Sequence, residues 1–170
     1  MRRRTQRRRN QDTIIASRAN LYTAVVQRLA TTVASTYQNT YNTSVANLLT
    51  DLSASNRLAR FRRIVVEFNP LAIPLASNIQ SITAQLQEYD PRTGYYVPKT
   101  DLIPLSTTTR TKLSYTVDQA ASGFYTATST ASVFRLSLFN SQSSLATSMQ
   151  VPYTIYADVI LSRDLPAAVV

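Results

Sequence analysis

Six arginines, Arg2, Arg3, Arg4, Arg7, Arg8 and Arg9, stand within the first nine residues, and no acid appears before Asp12. A guanidinium presents a planar fork of donors that matches a pair of phosphate oxygens, and a run of them on a polyphosphate releases condensed counterions. So dense a run of like charge stays extended and solvated, and its natural counterion is a polyanion. Phosphate contacts position a strand without reading its bases, so the chemistry expected here is sequence-independent nucleic-acid binding. Arg18 and Arg28 extend this set of candidate binding residues beyond the run. Other uses for such a run are nuclear import, a generic RNA-binding tail, or a solvated charge segment with no partner. Arg57, Arg60, Arg62 and Arg63 form a second cluster. It reads either as a phosphate contact or subunit-interface ion pair, or as a solvated loop ahead of a strand. Ten tyrosines can stack on bases, but their apolar body and polar tip also suit core edges and subunit contacts.

Other chemistry is poorly supplied. The 170 residues contain no cysteine and no histidine, which excludes disulfides, thiol nucleophiles, Ser-His arrangements and zinc sites of the usual kinds. Nine acids are scattered without a recognisable pair, and two glycines are too few for a glycine-rich phosphate loop. No catalytic residue, metal ligand or cofactor is expected, and no small-molecule substrate. No apolar run approaches the length of a membrane span, and the N-terminal bases lack the apolar stretch of a secretory signal, so no membrane partner is expected. The sequon Asn42-Thr43-Ser44 carries little weight in that setting.

The charge is unevenly placed. The formal net charge is +9, from 18 bases and 9 acids; residues 11–170 hold 12 of the bases (18 − 6) and all 9 acids, a balance of +3. Only Lys99 and Lys112 are lysines. Polyanion affinity therefore lies mostly in the tail, in the side chain best suited to bidentate contacts.

The elements behind the tail have mixed periods. Residues 1–11 are expected to be disordered without a partner. Asp12 or Thr13 can cap a helix whose apolar face is Ile14, Ile15, Leu21, Tyr22, Val25, Val26 and Leu29. An extended segment is the alternative, because Val25, Val26 and Thr31 to Val33 also favour strands. Residues 1–28 are thus expected to form a basic arm with an amphipathic helix, and residues 29–170 one body, whose first strand is Leu29 to Tyr41. Thr43 or Ser44 can cap a short helix burying Val45, Leu48, Leu49 and Leu52. Period-two alternation then marks strands around Ile64–Phe68, Ile82–Gln87, Leu113–Asp118, Phe134–Leu138 and Tyr153–Ser162. Asp90-Pro91-Arg92-Thr93-Gly94 is a turn signal. Many short strands without long helices predict a sandwich or barrel of seven or eight strands. The scarcity of glycine argues against tight hairpins and for the long connections of a jelly roll.

A short arginine-rich arm, a linking segment and a cysteine-free β body resemble the single jelly-roll coat proteins of small icosahedral viruses. Those of satellite viruses and the shell domains of sobemovirus-like and tombusvirus-like coat proteins are the nearest in pattern. Residues 48–70 (LLTDLSASNRLARFRRIVVEFNP) resemble the shell-domain succession of small helix, aromatic-Arg-Arg junction and strand ending in Asn-Pro. Residues 82–91 (ITAQLQEYDP) resemble the following strand and its acidic-proline turn, and Pro152 to Arg163 a long final core strand. The resemblance implies an all-β jelly-roll sandwich of two antiparallel sheets with short helices. It also implies self-assembly of many identical subunits into a closed shell, and packaging of a single-stranded RNA genome by the arm. The location implied is the virion, reached through the host cytoplasm, with nuclear passage as a further route. Some relatives hold calcium between paired aspartates; Glu88, Asp90 and Asp101 do not form such a cluster, and no metal site is carried over. The alternatives are a monomeric cellular nucleic-acid-binding module with a basic tail, and a ligand- or carbohydrate-binding jelly roll with an incidental one.

Overall fold

The longest alternation in the chain builds an interior strand of one sheet. Met149, Val151, Tyr153, Ile155, Ala157, Val159 and Leu161 are all buried, and the residues between them face outward. They belong to the last of ten strands found among the described residues of the computed structural model, which are 21–32, 38–54, 57–72, 81–118, 123–140 and 149–162. The arginine run, Arg18 and the first part of the expected helix lie outside that set.

In chain order the elements are β1 (Leu21–Thr32), β2 (Gln38–Ser44), α1 (Val45–Leu48), β3 (Leu58–Phe68), β4 (Ile82–Asp90) and β5 (Tyr95–Pro98). They continue as β6 (Ile103–Pro104), β7 (Thr111–Thr116), β8 (Tyr125–Thr126), β9 (Ser132–Asn140) and β10 (Met149–Leu161). One sheet runs β1-β10-β3-β7, with β8 beside the start of β3; the other runs β2-β9-β4-β5, with β6 beside β4. Every pairing is antiparallel. The chain crosses between sheets after β1, β2 and β3, so the connections are long and few glycines are needed. That is the jelly-roll arrangement expected from the sequence.

Between the sheets, Phe61, Ile64 and Phe68 of β3 and Ile155 of β10 meet Leu86 of β4 and Phe134, Leu136 and Leu138 of β9, all essentially without solvent exposure. Each such side chain contributes about 1.5–3 kcal/mol through removal from water. Helix α1 closes one end. Ser44 caps it by accepting the N–H of Asn47 at 3.3 Å, and Val45, Leu48 and Leu49 are buried, as the sequence predicts.

Two expectations need correction. Over its described part the segment expected as an amphipathic helix is strand: Leu21–Leu29 pairs with β10, from Leu21↔Ile160 to Leu29↔Pro152. Ala24 and Ala30 are buried while Leu21, Val25 and Leu29 are exposed, so spacings that suit a helical face arise from the outward face of an edge strand. The boundary expected between residues 28 and 29 falls inside β1. The single strand expected over Leu29–Tyr41 is the end of β1 and most of β2, in different sheets. The inward positions of β2 are Asn39, Tyr41 and Thr43, so no apolar alternation announces it.

Candidate nucleic-acid interface

Of the candidate residues, Arg28 alone falls among the described ones. It is exposed near the middle of β1, and its Nη2 donates to the backbone oxygen of Asn47 at 3.1 Å, which ties the edge strand to α1. Burial raises the Tyr153 phenol above its ordinary value, and the Arg28 charge opposes that rise only in part.

The second arginine cluster divides by role. Arg57 donates from Nε to the Ser162 backbone oxygen at 2.9 Å, joining the start of β3 to the end of β10. Arg60 lies over the Phe124 ring, 5.8 Å from its centroid. Arg62 and Arg63 are different. The β3–β10 register slips between Asp158↔Arg63 and Val159↔Phe61, leaving Arg62 as an extra residue in β3. This bulge reverses the parity of the strand: Ala59 and Phe61 point inward before it, Ile64, Val66 and Phe68 after it, and the two arginines stand exposed between them. The backbone oxygen of Arg62 accepts the Val117 N–H at 2.9 Å, which fixes the bulge. Neither guanidinium has an ion pair or hydrogen bond with a described residue.

Both border a groove of about 890 Å³ on the outer face of the first sheet, together with Leu21, Thr116, Asp158 and Ile160. Asp158 is held by the Thr23 hydroxyl, which donates to Oδ1 at 2.7 Å. The second sheet presents one outward cation, Arg135, stacked 3.8 Å from the Tyr96 ring centroid and donating from Nε to Asn42 Oδ1 at 2.9 Å.

At one end of the sandwich, Glu88, Asp90 and Asp118 share a 260 Å³ cleft with Lys99 and Arg92. Its charges are largely paired, by Lys99 Nζ to Glu88 Oε2 at 3.1 Å and Arg92 Nε to Asp90 Oδ1 at 3.2 Å. Among the described residues no group of three His, Cys, Asp or Glu is arranged to hold a metal ion. Of the nine described tyrosines Tyr95 alone is exposed, at 75 %, which leaves base stacking little to work with on the body.

Sequence reasoning grouped the four arginines but did not separate the two engaged in the framework from the two presented to solvent. The signal was there: consecutive Arg62-Arg63 between an odd-numbered and an even-numbered apolar series marks a bulge.

The strand order, crossovers and face-to-face sheets define a jelly-roll sandwich. No protein-family model matches the chain, and no characterised sequence does. Solved virus structures share the fold. Against Desmodium yellow mottle tymovirus the identity is 14%, the TM-score 0.51, and the overlap covers 88% of this chain and 85% of that one. Against the decameric BFDV capsid protein the identity is 10%, the TM-score 0.54, and the coverage 84% and 99%. For nora virus the values are 11%, 0.51, 86% and 59%. At these identities the likeness is one of fold alone.

Proposed function

We propose that this chain is a structural coat protein that assembles as many identical copies into an icosahedral shell, and that its arginine arm packages a single-stranded RNA genome. The observation that carries the reading is the joining of two features in one chain. A jelly roll of this strand order begins at β1, and the six-arginine run lies directly upstream of it. The capsid role of the fold-sharing BFDV protein, solved as a decamer, supports the assembly half. The concentration of positive charge in the tail supports the packaging half, with Arg2, Arg3, Arg4, Arg7, Arg8, Arg9, Arg18 and Arg28 as its contacts.

Uncovered apolar side chains are available to neighbouring copies, notably Tyr95 and Val97 on β5, Leu102 just ahead of β6 and Phe124 beside β8. A shell of sixty copies would carry roughly 360 arm arginines, each able to replace counterions on a phosphate. The role is architectural rather than catalytic. The virion is the location, with assembly in the host cytoplasm or nucleus.

Electron microscopy and sizing of the purified protein with RNA test the reading. Closed particles on the megadalton scale are expected, and deletion of residues 2–9 is expected to leave a folded subunit that no longer retains RNA. A lone subunit under all conditions, or RNA content unchanged by the deletion, overturns it.

A further inference from the structure

We infer that the groove at the Arg62 bulge is a second phosphodiester-binding site on the folded body, continuous with the arm. This rests on the packaging role proposed above and adds a body contact to it. Three observations carry it. The bulge sets two adjacent guanidiniums on one face of β3, where a regular strand would send one of them inward. Neither is engaged by a described residue, whereas Arg28, Arg57, Arg60, Arg92, Arg110 and Arg135 each have a contact. And Leu21, the residue at which the chain enters the first sheet, lines the same groove.

Three residues of backbone span at most about 11 Å, so the Arg18 Cα lies no farther than that from the Leu21 Cα in any conformation. A strand of phosphates held at Arg18 is therefore within reach of the Leu21 end of the groove that Arg62 and Arg63 border. Asp158 is the one carboxylate lining the groove; Thr23 holds its Oδ1, and the charged side chains there sum to +1. The occupant is a single strand running over an open face. Its contacts are with phosphate oxygens, so binding at the groove is indifferent to base sequence.

The test is the salt dependence of binding of the full chain to a short fluorescent single-stranded oligoribonucleotide of mixed sequence. Each phosphate contact on a single strand contributes about 0.7 to the slope of log K against log salt, so R62Q/R63Q is expected to lower the slope by about 1.4. The control R92Q/R110Q removes the same formal charge from ion-paired positions and is expected to leave the slope unchanged. A slope unaffected by R62Q/R63Q, or lowered equally by the control, overturns the inference. Deletion of residues 2–9 in the same assay reports on the arm independently, so a failure of the groove and a failure of the packaging role are told apart. Should R62Q/R63Q fail to fold, phenylglyoxal labelling of the unaltered protein decides. RNA is expected to protect Arg62 and Arg63, reversibly on ribonuclease digestion, while Arg110 stays reactive. Equal labelling with and without RNA refutes the site.

Discussion

The carboxylate of Glu88, at the last inward position of β4, accepts the backbone N–H of Asp118 across the sandwich, with Oε1 at 3.1 Å. Asp118 follows β7 in the opposite sheet, so one side chain straps the two layers together at their open end. Lys99 Nζ completes the arrangement at 3.1 Å from Oε2.

Removing that carboxylate leaves a donor and a partly buried ammonium without their acceptor. Glu88→Ala is expected to cost about 2–4 kcal/mol, and Glu88→Gln, which keeps an oxygen for Asp118, about half as much. Urea denaturation of both variants, read as the shift in midpoint at constant slope, checks the ranking. Equal losses would mean that the interlayer hydrogen bond contributes nothing.

The turn of the β4–β5 hairpin depends at Gly94 on backbone conformation rather than on space. Gly94 has φ +75° and donates its N–H to the Asp90 oxygen at 2.8 Å, while a Cβ placed there would meet nothing. Gly94→Ala is expected to cost about 1–2 kcal/mol from the left-handed conformation alone. Gly123→Ala, whose Cβ would sit in ordinary contact 4.0 Å from the Tyr125 ring, is expected to fall within about 0.5 kcal/mol of the parent. Thermal melting of the pair separates conformational strain from steric conflict.

The same turn has a defined acid response. The Arg92 backbone N–H is the largest influence on the Asp90 carboxyl; against desolvation, and with the Arg92 guanidinium and the Thr93 side chain, it holds that carboxyl below its ordinary value. A depressed carboxyl stabilises the fold above the unfolded pKa, near 3.9, and loses that contribution as pH falls through the folded value. Asp90→Asn is therefore expected to lower the melting temperature at neutral pH and to converge on the parent as acid protonates the folded carboxyl. Parallel curves at neutral and at acid pH would deny Asp90 any linkage to folding.

Burial, and then the nearby Glu88 charge, push the Tyr115 phenol well above its ordinary value of 10.0. Its hydroxyl is buried with no hydrogen-bond partner among the described residues. A raised phenol favours the folded state only while protonated, so stability is expected to fall as pH rises above about 10. Tyr115→Phe removes both the stranded hydroxyl and this titration. It is expected to stabilise the protein by about 1 kcal/mol at pH 7 and to weaken its alkaline loss. Identical alkaline profiles would assign the loss to other groups, such as Tyr153.

At the β4–β5 end, Tyr95 is 75 % exposed and Val97 42 %. Tyr95→Asp with Val97→Asp is expected to leave the melting temperature within a few degrees and to abolish particles in electron micrographs. Undiminished particle yield would remove this corner from the subunit contacts.

What the sequence makes legible follows from whether burial is written in apolar residues. β4, β9 and β10 put mostly apolar residues inward at every second place, and their positions are plain. The Ser44 cap and the Asp90–Gly94 turn are equally plain, because each needs a particular residue type. β2 is hidden by its polar inward face, and β1 by an outward row of Leu21, Val25 and Leu29 whose spacing imitates a helix. β6 and β8 have two residues each and owe their form to their neighbours. The groove was half visible: the arginines could be read, but their shared face depends on a slip of register with a strand nearly a hundred residues away, such as Asp158↔Arg63.

The pairing of β1 with β10 sets an order of events in biosynthesis. Leu21 finds its partner in Ile160, so the first sheet cannot close until nearly the whole body has left the ribosome. The arginine run emerges long before that moment. It can therefore meet polyphosphate while the body is still unfolded, and a bound strand would hold nascent chains near one another as their sheets form. Under the proposed packaging role, contact with RNA precedes closure of the first sheet.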